Sequence, residues 1–548
     1  MQQAFTAYGR GAWSDAEQLC RAVLKAKADS FDALRLLGII AAQTGRLREA
    51  AGFLADATSA NPNDASAHNN LGGVLHGLKR YADALASYER ALELKSDLPE
   101  AWNNRGVALR DLKRPEAALA SYVRAIALRP DYADAYCNRG NAMHDLNRVE
   151  ESLASYERAI EIKPAYAEAH SNRGTALCDL GRLDEALACY DHAIRLKPDY
   201  VDARIYRGDA FREMRRTNEA MQSYDAAISL DPNSAEAHFK KAELLLLTGD
   251  YGQGWDLYEW RWKSQFRDEN PQFFDYPLWT GAQSVAGKRI LIHPEVGFGD
   301  YMMFVRYVPL LQQLGAKVVI SAPPPLAPLF STLPGDVSIV GAGQRLADID
   351  FQCPIMSLPR AFKTTLDTIP AAVPYLTVPA ERQAYWQRKL GRSKQRRVGL
   401  MWSGKANRNI DISVLKNRSI PFSLLEPLMH LPVELHSLQK EFLPSDAAAL
   451  AEFKQVRTHQ DELNDFSDTA GLIGEMDLII TIDTSVAHLA GALGKHMWVM
   501  LPYSTDYRWG MRGDGTPWYP TATLFRQPDV SDWTSVIQRI ATELSKLQ

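Results

Sequence analysis

The sequence predicts an α + α/β multidomain protein: an α-α solenoid in the first half and a mixed α/β fold in the second. Three observations carry that prediction. Residues recur with a strict period of 34 up to about residue 258. After residue 287 the helical period gives way to short β-branched runs that alternate with helical segments. The chain has 548 residues, too many for one hydrophobic core, so two to four domains are expected.

The repeat is read from self-comparison. Gly38, Gly72, Gly106, Gly140, Gly174 and Gly208 are 34 apart, as are Tyr88, Tyr122, Tyr156, Tyr190, Tyr224 and Tyr258. Ala57, Ala91, Ala125, Ala159, Ala193 and Ala227 keep the same step, and Pro130, Pro164, Pro198 and Pro232 close successive units. Small residues in mid-helix, an aromatic in the second helix and a terminal proline at this period are the tetratricopeptide pattern. Each unit reads as two antiparallel helices, for example 99–112 and 115–128, with Gly106 and Ala118 allowing close approach. Such units stack into a superhelix whose concave surface is lined by the first helices. The array is assigned to 1–266.

Asn70, Asn104, Asn138 and Asn172 also step by 34 and form a line along four units. Asparagine is a mediocre helix former. Its amide offers one acceptor and two donors, the complement of a peptide group. Two readings follow: a ladder that holds an extended polypeptide backbone, or a set of hydrogen bonds between neighbouring repeats. The line resembles the asparagine ladder in the tetratricopeptide half of O-GlcNAc transferases, which implies an acceptor polypeptide in the groove. Arg105, Arg139 and Arg173 follow three of the asparagines and could meet acidic partner groups or pair within the array.

Bulk properties narrow the function. Net charge is −4, so no general polyanion surface and no nucleic-acid partner are expected. No apolar run reaches the ~18 residues needed to span a bilayer, so no membrane partner is expected. The N-terminus has no signal-peptide pattern. Cys20, Cys137, Cys178, Cys189 and Cys353 form no CxxC pair and no zinc site, and are read as reduced thiols of a cytoplasmic protein.

A junction over 267–286, crowded with aromatics on its N-terminal side (Trp255, Trp260, Trp262) and including Trp279, reads as a cap that docks the next domain. Beyond it, "KRILIHPE" is a strand, "DYMMFVRYVPLLQQLG" one helix and "KVVISA" the next strand, a parallel β–α–β unit. This lobe runs over 287–385. A second series, "VGLMWSG", "VELHSLQ", "DLIITID" and "HMWVMLPY", fills 386–548. Two Rossmann-like lobes in tandem imply a cleft where strand C-termini meet. Dinucleotide, P-loop, HExxH and GxSxG fingerprints are missing. The triplet "DID" at 348–350 mimics a metal-binding DxD but opens a probable strand. No metal and no cofactor are expected.

Within "DLIITIDTSVAHLAGALG" an apolar strand ends at Asp483-Thr484-Ser485 and a helix begins at once, with His488 one turn on. Hydroxyls and free N–H groups at a helix N-terminus favour phosphate; ordinary capping by Asp483 or Thr484 explains one residue of that cluster. Ser403, Lys405, Asn417, Arg418, Ser419, Gln439 and Lys440 sit at strand C-termini or in the loops after them, where a nucleotide would lie. "DTSVAHLAGALG", with "SLQKE" before it and "DYRWG" and "TPWYP" after it, resembles the C-terminal lobe of heptosyltransferase-related glycosyltransferases of the GT-B fold. The whole architecture resembles bacterial repeat-containing glycosyltransferases, some of which modify flagellin or other exported proteins.

The resemblance implies that Asp300, in "GFGD", is the catalytic base, and that Asp483, Thr484 and His488 bind donor phosphates; "HPEVG" replaces the glutamate-glutamine that relatives often carry there. The alternative for Asp300 is a helix N-cap. The expected function is therefore an inverting, metal-independent transfer of a sugar from a nucleotide donor to Ser or Thr of a polypeptide, with the 287–385 lobe on the acceptor side and the 386–548 lobe on the donor side. Two rivals stay open: a heptosyltransferase-like enzyme acting on a saccharide or lipid, with the repeats serving oligomerisation, and a non-catalytic scaffold. A second copy of the chain is a further candidate partner.

Overall fold

A computed structural model describes residues 1–264, 275–295, 297–404 and 419–547. The chain forms two compact units, residues 1–203 and 204–548.

The first unit is built of antiparallel helix pairs. Pro99–Asp111 and Pro115–Leu128 are typical, each with proline in its first turn, where the missing N–H has no intrahelical partner to lose. The period-34 glycine and the tyrosine 16 residues later are two halves of one contact. A Cβ on Gly106 would lie 2.5 Å from Tyr122 Cε1, and Gly72 with Tyr88 and Gly140 with Tyr156 repeat that distance. The tyrosine ring occupies the space a glycine Cβ would need, which is why both recur. The turns between paired helices also recur: Gly45, Lys79, Lys113, Asn147 and Gly181 all have positive φ, at steps of 34. All five cysteines are free thiols.

The second unit contains the last helices of the array, including Thr217–Leu230, Ala235–Thr248 and Tyr251–Tyr258, and a 3-10 turn Glu259–Lys263. Two wholly parallel sheets follow. The first has four strands: β1 Arg289–His293, β2 Lys317–Ala322, β3 Val337–Gly341 and β4 Phe351–Pro354, in the order β3-β2-β1-β4. Its register pairs Ile290 with Val318 and with Phe351. The second has six: β5 Arg397–Met401, β6 Glu434–Ser437, β7 Val456–Arg457, β8 Leu478–Ile482, β9 Met497–Leu501 and β10 Ala522–Arg526, in the order β10-β9-β8-β5-β6-β7. The central strands β1 and β8 are largely buried and predominantly apolar, as strands buried on both faces of a parallel sheet must be.

One expectation is corrected. The segment after β1 is not one helix but Phe298–Phe304, a 3-10 turn Val305–Tyr307 and Val308–Gln313. Pro309 has no N–H to give the carbonyl of Val305, so the α-helix restarts around it. Between the two sheets, Ala380–Leu390 is a helix that buries Trp386 completely.

Residues 267–274 of the junction lie outside the described residues. On either side its tryptophans are core or stacked groups: Trp255 and Trp279 are buried, and Trp260 stacks on His238 at 3.9 Å under the Lys263 ammonium. Arg261 and Glu295 form a fully buried ion pair at 2.8 Å, and Arg261 also reaches Glu259 and Ser357. Burial pushes the Glu295 carboxyl above its usual range although Arg261 pulls it down. Among the described residues, no helix is long and apolar enough to cross a membrane.

Candidate active site

The site forms where the C-terminal edges of β1 and β8 face each other through two short helices. After β1, Gly297 (φ +80°) ends the loop and stands at the N-cap of Phe298–Phe304. Asp300 is the third residue of that helix, so it is not the cap. Gly299 lies against the helix Ser485–Ala492: a Cβ there would be 2.7 Å from His488 Cδ2 and 3.4 Å from the Ser485 Cα. The missing side chain lets the two helices cross closely. That crossing brings Asp300 beside Asp483 and His488, nearly two hundred residues away in sequence.

Asp300 is paired with the Arg508 guanidinium, which also holds Asp506. Burial raises the Asp300 carboxyl above the ordinary aspartate value; Arg508 pulls it down, and Asp506 and Asp483 add to the rise. A carboxylate raised in this way is a better proton acceptor than a free aspartate.

His488 is oriented from behind. Its Nδ1 is 2.9 Å from the Tyr519 hydroxyl, and its Nε2 is 3.9 Å from Asp483 Oδ1. The Tyr519 ring has room because Gly491 has no Cβ, which would sit 2.3 Å from Tyr519 Cδ1. Arg306 lies 4.7 Å over the same ring. Thr484 occupies the N-cap position of Ser485–Ala492 without a side-chain capping bond; its hydroxyl lies 3.4 Å from Thr481 Oγ1 and 3.5 Å from the Ile482 carbonyl. Capping by Thr484 therefore does not account for this cluster.

The remaining donor-side residues divide. Ser403 and Gln439 are buried and bonded to each other: Gln439 Oε1 accepts from the Trp402 and Ser403 backbone N–H groups at 3.0 and 2.8 Å, and its amide nitrogen gives to Ser403 Oγ at 2.9 Å. These bonds fasten the end of β5 to the loop after β6. Ser419 Oγ accepts from the Gly404 N–H at 3.4 Å. Lys440 gives a hydrogen bond to the Gln460 carbonyl at 2.9 Å and lines a cavity of about 380 Å³ with Glu441, Phe442, Gln460 and Asp461. Lys405, Asn417 and Arg418 lie outside the described residues.

The asparagine line makes bonds between repeats. Asn104 Nδ2 gives to Asn69 Oδ1 at 3.2 Å, Asn138 to Asn103 at 3.0 Å, and Asn172 to Asn141 at 2.9 Å. All four asparagines, Asn70 included, are half-buried. Asn104, Asn138 and Asn172 thus tie neighbouring repeats and remain partly exposed. The arginines beside them are tied too: Arg105 to Glu89 and Ser121, Arg139 to Ser155, Arg173 to Glu157 and Cys189. In the "DID" triplet Asp350 accepts from the Arg289 N–H and from Lys288, both at 2.9 Å. No group of three or more metal-ligating side chains occurs among the described residues.

Sequence reasoning missed Arg508, Asp506 and Tyr519 as site residues. They lie inside "DYRWG" and "TPWYP", so the signal was a polar and aromatic cluster in a loop after an apolar strand.

Two family profiles match the chain. One, described as a TPR repeat, covers residues 74–112, 108–147, 140–177, 174–214 and 208–249; the other, a tetratricopeptide repeat, covers 7–71. The N-terminal ~250 residues are thus tetratricopeptide repeats. Protein FlbA of Caulobacter vibrioides is 28% identical over 332 residues, which is 56% of this chain and 54% of FlbA. The chain therefore spans about half the length of that relative. Among solved structures, YrrB, a TPR protein with an unusual peptide-binding site, is 25% identical and covers 34% of this chain and 95% of its own, with a TM-score of 0.28. A thermophilic TPR protein of Thermus thermophilus, TTC0263, is 27% identical and covers 33% of this chain and 99% of its own, with a TM-score of 0.31.

Proposed function

We propose that the chain is a cytoplasmic, inverting, metal-independent glycosyltransferase of the GT-B type. It would move a sugar from a nucleotide donor to a serine or threonine of a polypeptide, flagellin or another exported protein being the suggested acceptor. The four-stranded sheet would face the acceptor and the six-stranded sheet the donor. The observation that supports this best is Asp300: a carboxylate raised by burial, at the edge of one parallel sheet, beside Asp483, His488 and the start of the helix Ser485–Ala492 at the edge of another.

In this reading Asp300 takes the proton of the acceptor hydroxyl as its oxygen attacks the anomeric carbon. The new carbon–oxygen bond forms on the face opposite the donor phosphate, and the old bond breaks with its electron pair leaving on the diphosphate. General-base help of this kind is worth roughly 10²–10⁴-fold. The first-turn N–H groups of Ser485–Ala492, with Thr484, Ser485 and Lys440, would stabilise the departing diphosphate as fixed dipoles and charge. His488, set by Tyr519, would bridge to Asp483. The repeats would hold the acceptor. Because Asn104, Asn138 and Asn172 each give a donor to a neighbouring repeat, that role falls to the groove surface as a whole rather than to a free amide ladder.

The test is Asp300→Asn in the full chain, co-expressed with candidate exported proteins and read by intact mass. Wild type should add a sugar mass to its acceptor, and the variant should lose at least ~100-fold of that transfer. Unchanged modification by the variant would remove Asp300 from the chemistry. Absence of any added mass with wild type across the candidates would favour the scaffold reading.

A further inference from the structure

We propose that Arg508 is the positioning residue of Asp300: the loop between β9 and β10 delivers one guanidinium that Asp300 and Asp506 share, and that sharing fixes where the Asp300 carboxylate points. The inference rests on the reading of Asp300 as the base.

The geometry is specific. Arg508 bonds Asp300 through one terminal nitrogen and Asp506 through the other, so a single planar fork spans both carboxylates. The other Asp300 oxygen faces Gly297, where a Cβ would stand 3.0 Å away. The carboxylate is thus held on one side by a cation and limited on the other by the loop that ends at Gly297.

The loop that carries Arg508 is built to hold a position. Thr516 Oγ1 gives to the Arg508 carbonyl and Thr505 Oγ1 to the Gly510 carbonyl, both at 2.6 Å. Arg526, at the end of β10, gives to the carbonyls of Trp509, Gly510 and Gly513 at 2.7, 2.8 and 3.0 Å. The last helices of the array brace it from outside. Arg215, at the positive-φ turn before Thr217–Leu230, lies 3.9 Å over the Tyr503 ring and bonds its carbonyl. Trp518 Nε1 gives to the Tyr251 hydroxyl at 3.0 Å, and Trp255 meets Tyr507 edge-on at 5.4 Å. An arginine so held can fix a carboxylate at little further entropic cost, because its own side chain is already ordered.

The groups that face Asp300 come from four elements. Arg508, Asp506 and Tyr507 come from the loop, Asp483 and His488 from the end of β8 and the helix after it, and Tyr258 from the end of the array. Arg508 opposes the upward push of burial, Asp506 and Asp483 on the Asp300 carboxyl. Two substitutions in the loop should therefore move its titration in opposite directions, which a merely structural role would not do.

The experiment labels the full chain with aspartate carrying carbon-13 at the side-chain carboxyl. The Asp300 resonance is assigned by its loss in Asp300→Asn and titrated without any ligand. Arg508→Gln should move its midpoint up by about one to three pH units. Arg508→Lys, which keeps charge but not the fork, should move it less. Asp506→Asn should move it down. Midpoints that stay at the wild-type value, or that shift the same way in Arg508→Gln and Asp506→Asn, overturn the inference. If Arg508→Gln does not fold, the near-isosteric Asp506→Asn decides: a downward shift supports it and an unmoved midpoint overturns it. An unmoved titration with transfer still lost in Asp300→Asn defeats this inference alone, whereas transfer that survives Asp300→Asn defeats the base reading on which it rests.

Discussion

Residues 1–203 and the α/β part of residues 204–548 solve the problem of internal polar groups in opposite ways. In the repeats, charged groups are tied at the surface by short, recurring links. Arg105 meets Glu89, Arg110 meets Asp145 and His144 meets Asp179, and each of these side chains keeps between 16% and 45% of its exposure. In the α/β part the charges are taken inside. The Arg261 and Glu295 side chains are each 1% exposed, and His436 and His459 stack in the interior with their rings bonded at 3.0 Å. Surface pairs are worth little and are lost with little consequence, whereas a buried charge left without its partner is costly. The comparison teaches where each half can be broken.

The largest effect is expected at the buried pair. Glu295→Ala leaves Arg261 fully enclosed with Glu259 as its remaining carboxylate, and should cost about 3 kcal/mol of stability. Tryptophan fluorescence in urea reads this selectively, because ten of the twelve tryptophans lie beyond residue 203 and only Trp13 and Trp102 precede it. A loss below about 1 kcal/mol would contradict the contrast with the repeats.

Acid should separate the two regions next. Burial, with His436 beside it, holds His459 down to about 4 from 6.5. The unfolded chain therefore binds a proton in that window that the folded one does not, so stability falls as pH drops from 6.5 toward 4, by up to about 3 kcal/mol. Glu17 in the first repeat runs on a lower window. Arg46 first, and then Arg21, hold it at about 2 instead of 4.5, so its contribution is complete above pH 4.5 and is lost as pH falls toward 2. Solvent screening limits that contribution to roughly 1 kcal/mol. His459→Gln should flatten the pH 4–6.5 slope of the tryptophan-detected transition, and Glu17→Gln should leave it as it was.

The tie between repeats comes third. Asn138→Ala removes the donor to Asn103 Oδ1, and Asn103 is 6% exposed. An unsatisfied buried acceptor should cost about 1–3 kcal/mol in a helix-detected melt. A neutral substitution would show that the tie is replaced by water and reopen the free-ladder reading.

The smallest effects test the glycine–tyrosine contact. Gly106→Ala places a Cβ 2.5 Å from Tyr122; overpacking of about 1–3 kcal/mol outweighs the ~1 kcal/mol gained in helix propensity. Gly52, exposed in the helix Leu47–Ala60, would meet nothing within 4 Å, so Gly52→Ala should stabilise by about 0.5–1 kcal/mol. Two glycine-to-alanine changes of opposite sign in one array distinguish a packed glycine from an incidental one.

What the sequence by itself determined follows from locality. The 34-residue step fixed the helix pairs, since Gly106 and Tyr122 meet within one unit and the same chemistry is printed again in every unit. The apolar strand runs were legible for the same reason: a strand buried on both faces must be apolar along its length, as Leu478–Ile482 is. The short strands Val337–Gly341, Val456–Arg457 and Ala522–Arg526 carry a weak pattern, because their runs are short and include partly exposed or polar positions. Tertiary structure alone decided the partners of the polar groups. No spacing announces that Gly299 leaves room for His488, that Glu295 pairs with Arg261, or that Arg508 reaches Asp300 across 208 positions. Gln439 and the asparagine line show the same limit from the other side. Their residue types fit a ligand, and the fold also gives them a nearby backbone N–H or a neighbouring amide as partner. A polar side chain bonds whatever the fold brings within about 3 Å, and that distance is set by how whole elements pack, not by the sequence around the residue.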